Sequence, residues 1–443
     1  MKYKEFIFEN YSYDLADSTL SLRYRFSDGP RFEEKLVFDF VSRQLSSRES
    51  RVLDQIFRLI FLMSGVSYYK TFVPQTLICE SFSVDRITAE FLQKFYERGL
   101  AEFAFRNRIS LRDHFTIQWT SDLPTVPVEL DLPRRTCVPV GGGKDSIVTL
   151  ECLKQSGEPL VLFSLGAAEP IRACIATAGL PFIRVDRRLD STLFKLNDAG
   201  ALNGHVPITG ILSIIAVAGA LMSGYDAIAM SNEHSASAPN LQIDSTSINH
   251  QYSKSFEFEE DFSQYLRNNI SPSIAYFSLL RPLSEIEIAR RFSKSRDYFS
   301  IFRSCNAVFR QSAPAHENGW CGNCPKCRFV FLALAPFIEK TELIGIFGRN
   351  LLDDETQRAG FAELCGLQAH KPFECVGEVA ESAAVMSHLG NHPDWWEDAV
   401  VRGLYRSFAQ LREQGSTDFR ARFEPQHPHR VPDRYMAQLD ACR

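Results

Sequence analysis

The sequence lacks the excess of basic residues that binding to nucleic acid or to an anionic membrane surface would favour. Its 443 residues include 49 Lys and Arg against 54 Asp and Glu, a formal net charge of -5 at pH 7. Its first residues, MKYKEFIFENYSYD, also lack the long apolar stretch of a secretory signal peptide. We therefore expect no nucleic-acid partner and a location in the cytoplasm.

Long hydrophobic runs are nearly absent as well. The one long uncharged run, Val206 to Ser223, contains proline, threonine, serine and glycine, which make it a poor bilayer-spanning segment. We predict that it forms a helix buried inside the protein, and we expect no membrane partner. The composition, 45% hydrophobic and 23% charged, is typical of a globular protein long enough for two or three cores.

Cysteine is not scarce, but the context and spacing of the cysteines argue against disulfides. Eleven cysteines without a signal peptide favour reduced thiols. Four of them, Cys305, Cys321, Cys324 and Cys327, end in the compact motif WCGNCPKCRF. Two-residue spacers let neighbouring thiolates converge on one ion, and four sulfurs complete a tetrahedron, so structural Zn²⁺ is the leading prediction. Iron–sulfur ligation is the alternative, because the same short spacers occur in cluster proteins.

The pattern of apolar residues divides the chain into three regions. Residues 1–130 combine alternating strands, with a hairpin turn at Asp28 and Gly29, and helical patterns, which indicates an α+β module. Residues 131–340 alternate short apolar strands with helices, which predicts an α/β fold with a doubly wound parallel sheet. Residues 341–443 are predicted to be mainly helical and are a candidate for substrate recognition. Ligands on such sheets bind at the carboxyl ends of the strands.

A glycine-rich loop, VGGGKDS, lies where the first parallel strand would end and a helix begin. Glycines there let backbone N–H groups approach a phosphate, and the helix adds its positive end. The loop matches neither the Walker pattern nor the dinucleotide pattern. A purely structural glycine turn is the alternative interpretation. The candidate phosphate-binding and Mg²⁺-binding residues are Gly141, Gly142, Gly143, Lys144, Asp145 and Ser146.

The loop PVGGGKDS resembles the SGGxDS loop of the PP-loop ATP pyrophosphatase superfamily, which cleaves ATP to AMP and diphosphate. Gly141 stands where that motif has serine, so one phosphate-facing hydroxyl is lost. The resemblance implies a doubly wound sheet of PP-loop type. It also implies that Ser231, Asn232 and Glu233 lie near the diphosphate, with Glu233 as a second carboxylate for Mg²⁺.

Several motifs in order also resemble one family within that superfamily. The cysteine motif alone is similar to the zinc site of 7-cyano-7-deazaguanine synthases, but those enzymes are much shorter. Over essentially the whole chain, the sequence resembles the UDP-N-acetyl-muramoyl-L-alanyl-L-glutamate epimerase family. The motifs that carry this resemblance are GVSYYK, PVGGGKDS, SNEHS, CGNCPKCRF and HKPFECVGE.

The epimerase resemblance implies conversion of the terminal L-Glu of UDP-MurNAc-L-Ala-L-Glu into D-Glu, with ATP and Mg²⁺ consumed. Such a reaction needs an acid or base, and HKPFECVGE offers Cys375, His370 and Glu374. Cys375 is the first candidate and His370 the second. The alternative is a buried structural Cys375, with Lys371 instead pairing with a substrate anion. Two further functions stay open: a deazaguanine-type synthase, and a nucleotide-binding protein without activity.

Overall fold

The computed structural model describes residues 2–40, 42–243, 246–305, 319–368, 371–408 and 418–442. The strands are β1 Glu5–Asp14, β2 Thr19–Phe26, β3 Arg31–Asp39, β4 Thr76–Cys79, β5 Thr116–Ile117, β6 Thr136–Pro139, β7 Leu160–Leu165, β8 Phe182–Arg188, β9 Ala227–Met230, β10 Leu241–Ile243, β11 Thr246–Ile248 and β12 Ala275–Ser278. The α-helices are α1 Ser47–Ser64, α2 Val66–Tyr69, α3 Arg86–Gly99, α4 Ala101–Arg106, α5 Lys144–Lys154, α6 Glu169–Ala178, α7 Ser191–Asp198, α8 Ile208–Ser223, α9 Phe256–Tyr265, α10 Glu285–Phe292, α11 Pro325–Leu334, α12 Lys340–Phe347, α13 Arg358–Leu364, α14 Val379–Leu389, α15 Ala399–Tyr405 and α16 Asp433–Ala441.

Ten of these strands form one sheet in the order β12-β9-β6-β7-β8-β3-β2-β1-β4-β5. The five strands from β12 to β8 are all parallel. The chain enters this part at β6, adds β7 and β8 on one side, and then adds β9 and β12 on the other. This confirms the predicted α/β class with a largely parallel sheet. The switch in direction beside β6 is the position where such sheets bind ligands.

The amino-terminal strands extend the same sheet. The hairpin of β2 and β3 is antiparallel, and Asp28 in its turn has a φ of 53°, as the sequence predicted. Strand β3 then pairs antiparallel with β8, from Lys35 opposite Arg188 to Asp39 opposite Arg184. The predicted boundaries at residues 130 and 340 stay predictions, but no break in the sheet separates the first two regions.

Two hydrophobic cores lie on opposite faces of the sheet, the second only over strands β6, β7, β9 and β12. Because side chains alternate along a strand, Cys137 of β6 packs into one core and its neighbour Val138 into the other. The first core contains helices α1, α3 and α8, and the second contains α5, α10, α11 and the carboxyl-terminal helices. Helix α8 is buried along most of its length, which confirms the prediction for the long uncharged run. Tyr68 and Tyr69 of GVSYYK are fully buried in the first core.

The prediction that the cysteines are reduced is wrong for one pair. Cys152 in α5 and Cys442 after α16 form a disulfide across 290 residues of chain. It fastens the end of the chain to the helix that follows the glycine loop, a contact that no local spacing reveals. Among the described residues, no helix is both long and apolar enough to cross a bilayer.

Candidate active site

The candidate site lies at the carboxyl ends of β6, β9 and β12, on either side of the switch point. The glycine loop follows β6, Glu233 follows β9, and Glu285 begins helix α10 after β12. Cys375 comes from the loop before α14 and closes the site. The residues that line this cavity are Lys144, Asp145, Glu233, Lys254, Glu285, Ser304, Lys326, Phe329, Val330 and Cys375. The structure therefore brings together the predicted loop, Glu233 and Cys375.

The glycine loop is tight at two of its three glycines. Gly142 has a φ of +78°, and a Cβ there would lie 3.1 Å from Pro170. A Cβ on Gly143 would lie 2.8 Å from the Ser304 hydroxyl, whereas Gly141 has no atom that close. Gly143 is the N-cap of α5 and provides no side-chain cap for that helix. This geometry leaves the start of α5 open to an anion, as a phosphate-binding loop requires.

Lys144 is held by carboxylates on both sides. Its side chain is 3% exposed, and Nζ forms ion pairs with Asp145 and Glu285. Burial alone would lower the pKa of Lys144, but these two carboxylates outweigh burial and raise it. Glu285 also lies near the carboxylates of Asp145, Glu233 and Glu381, and Lys144 offsets the repulsion among them. The site is thus a dense mixture of opposite charges.

The loop after β9 is fixed by hydrogen bonds from β12 and the turn that follows it. The Asn232 amide donates to the Ser278 hydroxyl at 2.6 Å, and the guanidinium of the fully buried Arg281 donates to the Glu233 carbonyl at 2.5 Å. Glu233 itself is 3% exposed. Within the described chain, the hydroxyls of Ser231 and Ser235 have no hydrogen-bond partner. The loop therefore presents one carboxylate and two free hydroxyls at this edge.

Cys375 lies among positive charges. Lys254 Nζ donates to its sulfur at 3.5 Å, and Lys326 lines the same cavity. Burial raises the pKa of Cys375, but Lys254, Lys326 and a hydrogen bond from His250 outweigh burial and lower the pKa to about 6. A thiol with this pKa is mostly thiolate at neutral pH. This microenvironment is that of a reactive cysteine and argues against the alternative of an inert buried thiol.

Other residues of HKPFECVGE are arranged around the same edge. Lys371 is buried, its ammonium has no hydrogen-bond partner in the described part of the chain, and burial lowers its pKa. The Glu374 amide donates to the Pro372 carbonyl at 2.8 Å, and Glu374 does not line the cavity. His370 lies outside the described residues. Burial raises the pKa of nearby Glu381 to about 7.

The four clustered cysteines converge as their spacing predicted. Cys305 and Cys324 sulfurs lie 3.9 Å apart, Cys321 and Cys327 3.6 Å, and Cys324 and Cys327 3.5 Å. A tetrahedral site with Zn–S bonds of about 2.3 Å needs sulfurs roughly 3.8 Å apart, so this cluster could bind a metal. Cys324 caps helix α11 by accepting the Cys327 amide. Lys326 lies between these two cysteines in the sequence, so the cluster also positions a charge of the candidate site.

Sequence reasoning missed several residues of the site. Glu285 could have been found, since it follows the next parallel strand in PLSEIE. Lys254 and His250 come from a loop without a recognisable motif, and Glu102 lies in α4, 148 residues before His250. No local pattern links these positions, and only the folded chain brings them to Cys375.

Comparison with known proteins identifies relatives along nearly the full length. Two family models match: the MurL N-terminal domain over residues 1–279 and the MurL C-terminal domain over residues 301–419. Proteins named UDP-N-acetyl-alpha-D-muramoyl-L-alanyl-L-glutamate epimerase are similar to this chain. That of Xanthomonas oryzae pv. oryzae is 39% identical over 96% of this chain and 95% of its own length. That of Salinispora tropica is 40% identical over 98% of this chain and 95% of its own, and that of a Micromonospora species 39% over 98% and 97%.

Proposed function

The chain belongs to the MurL family of epimerases, and we propose that it converts the terminal L-Glu of UDP-MurNAc-L-Ala-L-Glu into D-Glu at the expense of ATP. The observation that carries this proposal is the meeting of a glycine loop, buried carboxylates and a cysteine of low pKa in one cavity. The names of the relatives supply the substrate. We expect the enzyme to work in the cytoplasm, on a peptidoglycan precursor.

The reaction needs activation of the glutamate carboxylate before its α-proton can leave. Removing a proton beside an ionised carboxylate would place a carbanion next to a negative charge. Forming an acyl-adenylate removes that charge and lets the carbanion delocalise as an enolate. Cleavage of ATP to AMP and diphosphate also drives the reaction toward D-Glu, which a simple racemase cannot do.

The residues at the glycine loop fit the phosphates of ATP. The open start of α5 and Lys144 supply positive charge. The hydroxyls of Ser231 and Ser235 and the ammonium of Lys371 have no partner among the described residues, and an anion would satisfy these donors. Mg²⁺ would be held by carboxylates, with Asp145 and Glu233 the first choice, and would neutralise charge on the phosphates. These features are those of the PP-loop ATP pyrophosphatase superfamily.

Cys375 is the residue best placed to move the α-proton. Its low pKa makes it a base at neutral pH, and Lys254 and Lys326 beside it would also stabilise an enolate. Glu374 stays a secondary candidate, since it does not line the cavity. His370, which lies outside the described residues, stays the second candidate of the sequence analysis. We assign the four-cysteine cluster a structural Zn²⁺, because four thiolates leave no open coordination position for chemistry.

The deazaguanine-type synthase alternative loses its support, because the relatives along the whole chain carry epimerase names. A nucleotide-binding protein without activity is the remaining rival, and Gly141 in place of serine is the feature that would favour it. Its hallmark would be tight ATP binding with no AMP formed from the dipeptide substrate.

The proposal is tested with purified protein, UDP-MurNAc-L-Ala-L-Glu, ATP and Mg²⁺ in D₂O. We expect one deuterium at the glutamate α-carbon, D-Glu in the product, and AMP formed only when the peptide substrate is present. Folded protein that binds ATP but gives neither deuterium nor D-Glu would exclude the epimerase function. UDP-MurNAc-L-Ala is the matched control substrate, because it lacks the glutamate that is epimerised.

A further inference from the structure

A histidine that the sequence analysis did not single out lies between Cys375 and a buried carboxylate. His250 Nδ1 is hydrogen-bonded to Glu102 Oε2, and the same ring is hydrogen-bonded to Cys375. Glu102 is 4% exposed, and Arg106 donates to its other oxygen at 2.5 Å. The three side chains form a continuous path from α4, through the loop before α9, to the loop before α14.

We propose that Glu102 and His250 are positioning residues that hold Cys375 as a thiolate, so that the proton of the thiol rests on His250 before substrate binds. The thiolate then has a free electron pair for the α-proton of the activated glutamate, and the S–H bond forms as the C–H bond breaks. The role of the thiolate in this step rests on the proposed function. The existence of the thiolate does not rest on the proposed function, because it can be measured in the enzyme without substrate.

The charges around Cys375 and His250 favour a proton on the imidazole and not on the thiol. Around the sulfur lie Lys254, Lys326 and His250, and around the His250 ring lie Glu102, Cys375 and His205. Burial lowers the pKa of His250, but Cys375 and Glu102 outweigh burial and raise it to about 9. Burial and the neighbouring His250 lower the pKa of His205 to about 4, although Glu102 opposes them. At neutral pH the arrangement is thus a thiolate, an imidazolium and a carboxylate beside a neutral His205.

The same residues could instead hold a metal ion. Donor atoms of Glu102, His205 and His250 all lie within 4.8 Å of one another. Glu102 and His250 are, however, hydrogen-bonded to each other directly, as the two partners of a shared proton are. The geometry therefore favours a shared proton over a shared metal.

The test is the pH dependence of iodoacetamide alkylation at Cys375, followed by mass spectrometry of the peptide in the full-length protein without ATP or substrate. We expect a midpoint near pH 6 for the native protein. In His250→Gln the midpoint should rise by about one pH unit or more, so that alkylation at pH 6 slows about fivefold or more. Glu102→Gln should raise the alkylation midpoint by a smaller amount. This variant also serves as the second test if His250→Gln does not fold.

His205→Gln is the matched control, because it changes the ring that packs against His250, at 4.3 Å between centroids, without removing a charge at neutral pH. We expect its midpoint to equal that of the native protein. An unchanged midpoint in both His250→Gln and Glu102→Gln would overturn the inference. So would a second metal ion per chain that is lost in His205→Gln. If the midpoints are as predicted but the protein forms no D-Glu, the thiolate inference is supported and the proposed function is excluded.

Discussion

Two cysteine sites of this protein lie side by side and are built in opposite ways. The four-cysteine cluster takes three of its cysteines from seven consecutive residues, Cys321 to Cys327, and the helix that begins there fixes their directions. Cys375 acquires its properties from residues that are remote in sequence, above all Lys254 and His250. The first kind of site is encoded locally, and the second exists only in the complete fold.

This difference explains what the sequence could predict. The glycine loop and the cysteine cluster were predicted because each is a short segment with a chemical meaning of its own, whereas Glu233 was predicted through the superfamily resemblance. Cys375 was predicted through the family resemblance, since one cysteine in a loop has no specific signal. Its partners His250 and Glu102 could not be predicted, because the contact that gives them a role spans 148 residues. The Cys152–Cys442 disulfide was missed for the same reason.

The largest effect on stability is expected from removing one cysteine of the four-cysteine cluster. If the four cysteines hold a metal, as we propose, it would tie Cys305 to helix α11. In Cys321→Ser we therefore expect loss of that metal and a fall of more than about 4 kcal/mol in the free energy of unfolding. Metal stoichiometry and thermal unfolding are the measurements. Cys79→Ser, a cysteine outside the cluster, should keep both. Retention of metal and stability by Cys321→Ser would show that the cluster is not a metal site.

A smaller effect is expected from removing one charge beside Cys375. Lys254 is the strongest of the groups that lower the pKa of this thiol, and Lys326 is the next. In Lys254→Met the alkylation midpoint of Cys375 should rise, and D-Glu formation at neutral pH should fall at least about tenfold. Lys326→Met should show a smaller rise. A larger effect for Lys326 than for Lys254 would contradict the arrangement around the sulfur.

The smallest effect is the pH dependence of the native enzyme. Activity should increase as the pH rises through about 6, where Cys375 loses its proton and becomes the base. Below pH 6 the rate should fall about tenfold per unit. Measurements of kcat/KM for D-Glu formation across this range would reveal this limb. A rate that is flat between pH 5 and 7, at about constant KM for ATP, would exclude a thiolate base of this pKa.

The central claim is that two parts of the site perform two steps. The glycine loop binds the ATP that activates the glutamate carboxylate, and Cys375 removes the α-proton. This claim is tested most directly with Cys375→Ser in D₂O, by following AMP release and deuterium at the glutamate α-carbon in the same sample. We predict that AMP formation from UDP-MurNAc-L-Ala-L-Glu persists while deuterium incorporation and D-Glu fall by about a thousandfold. Deuterium incorporation at the native rate in Cys375→Ser would contradict the claim.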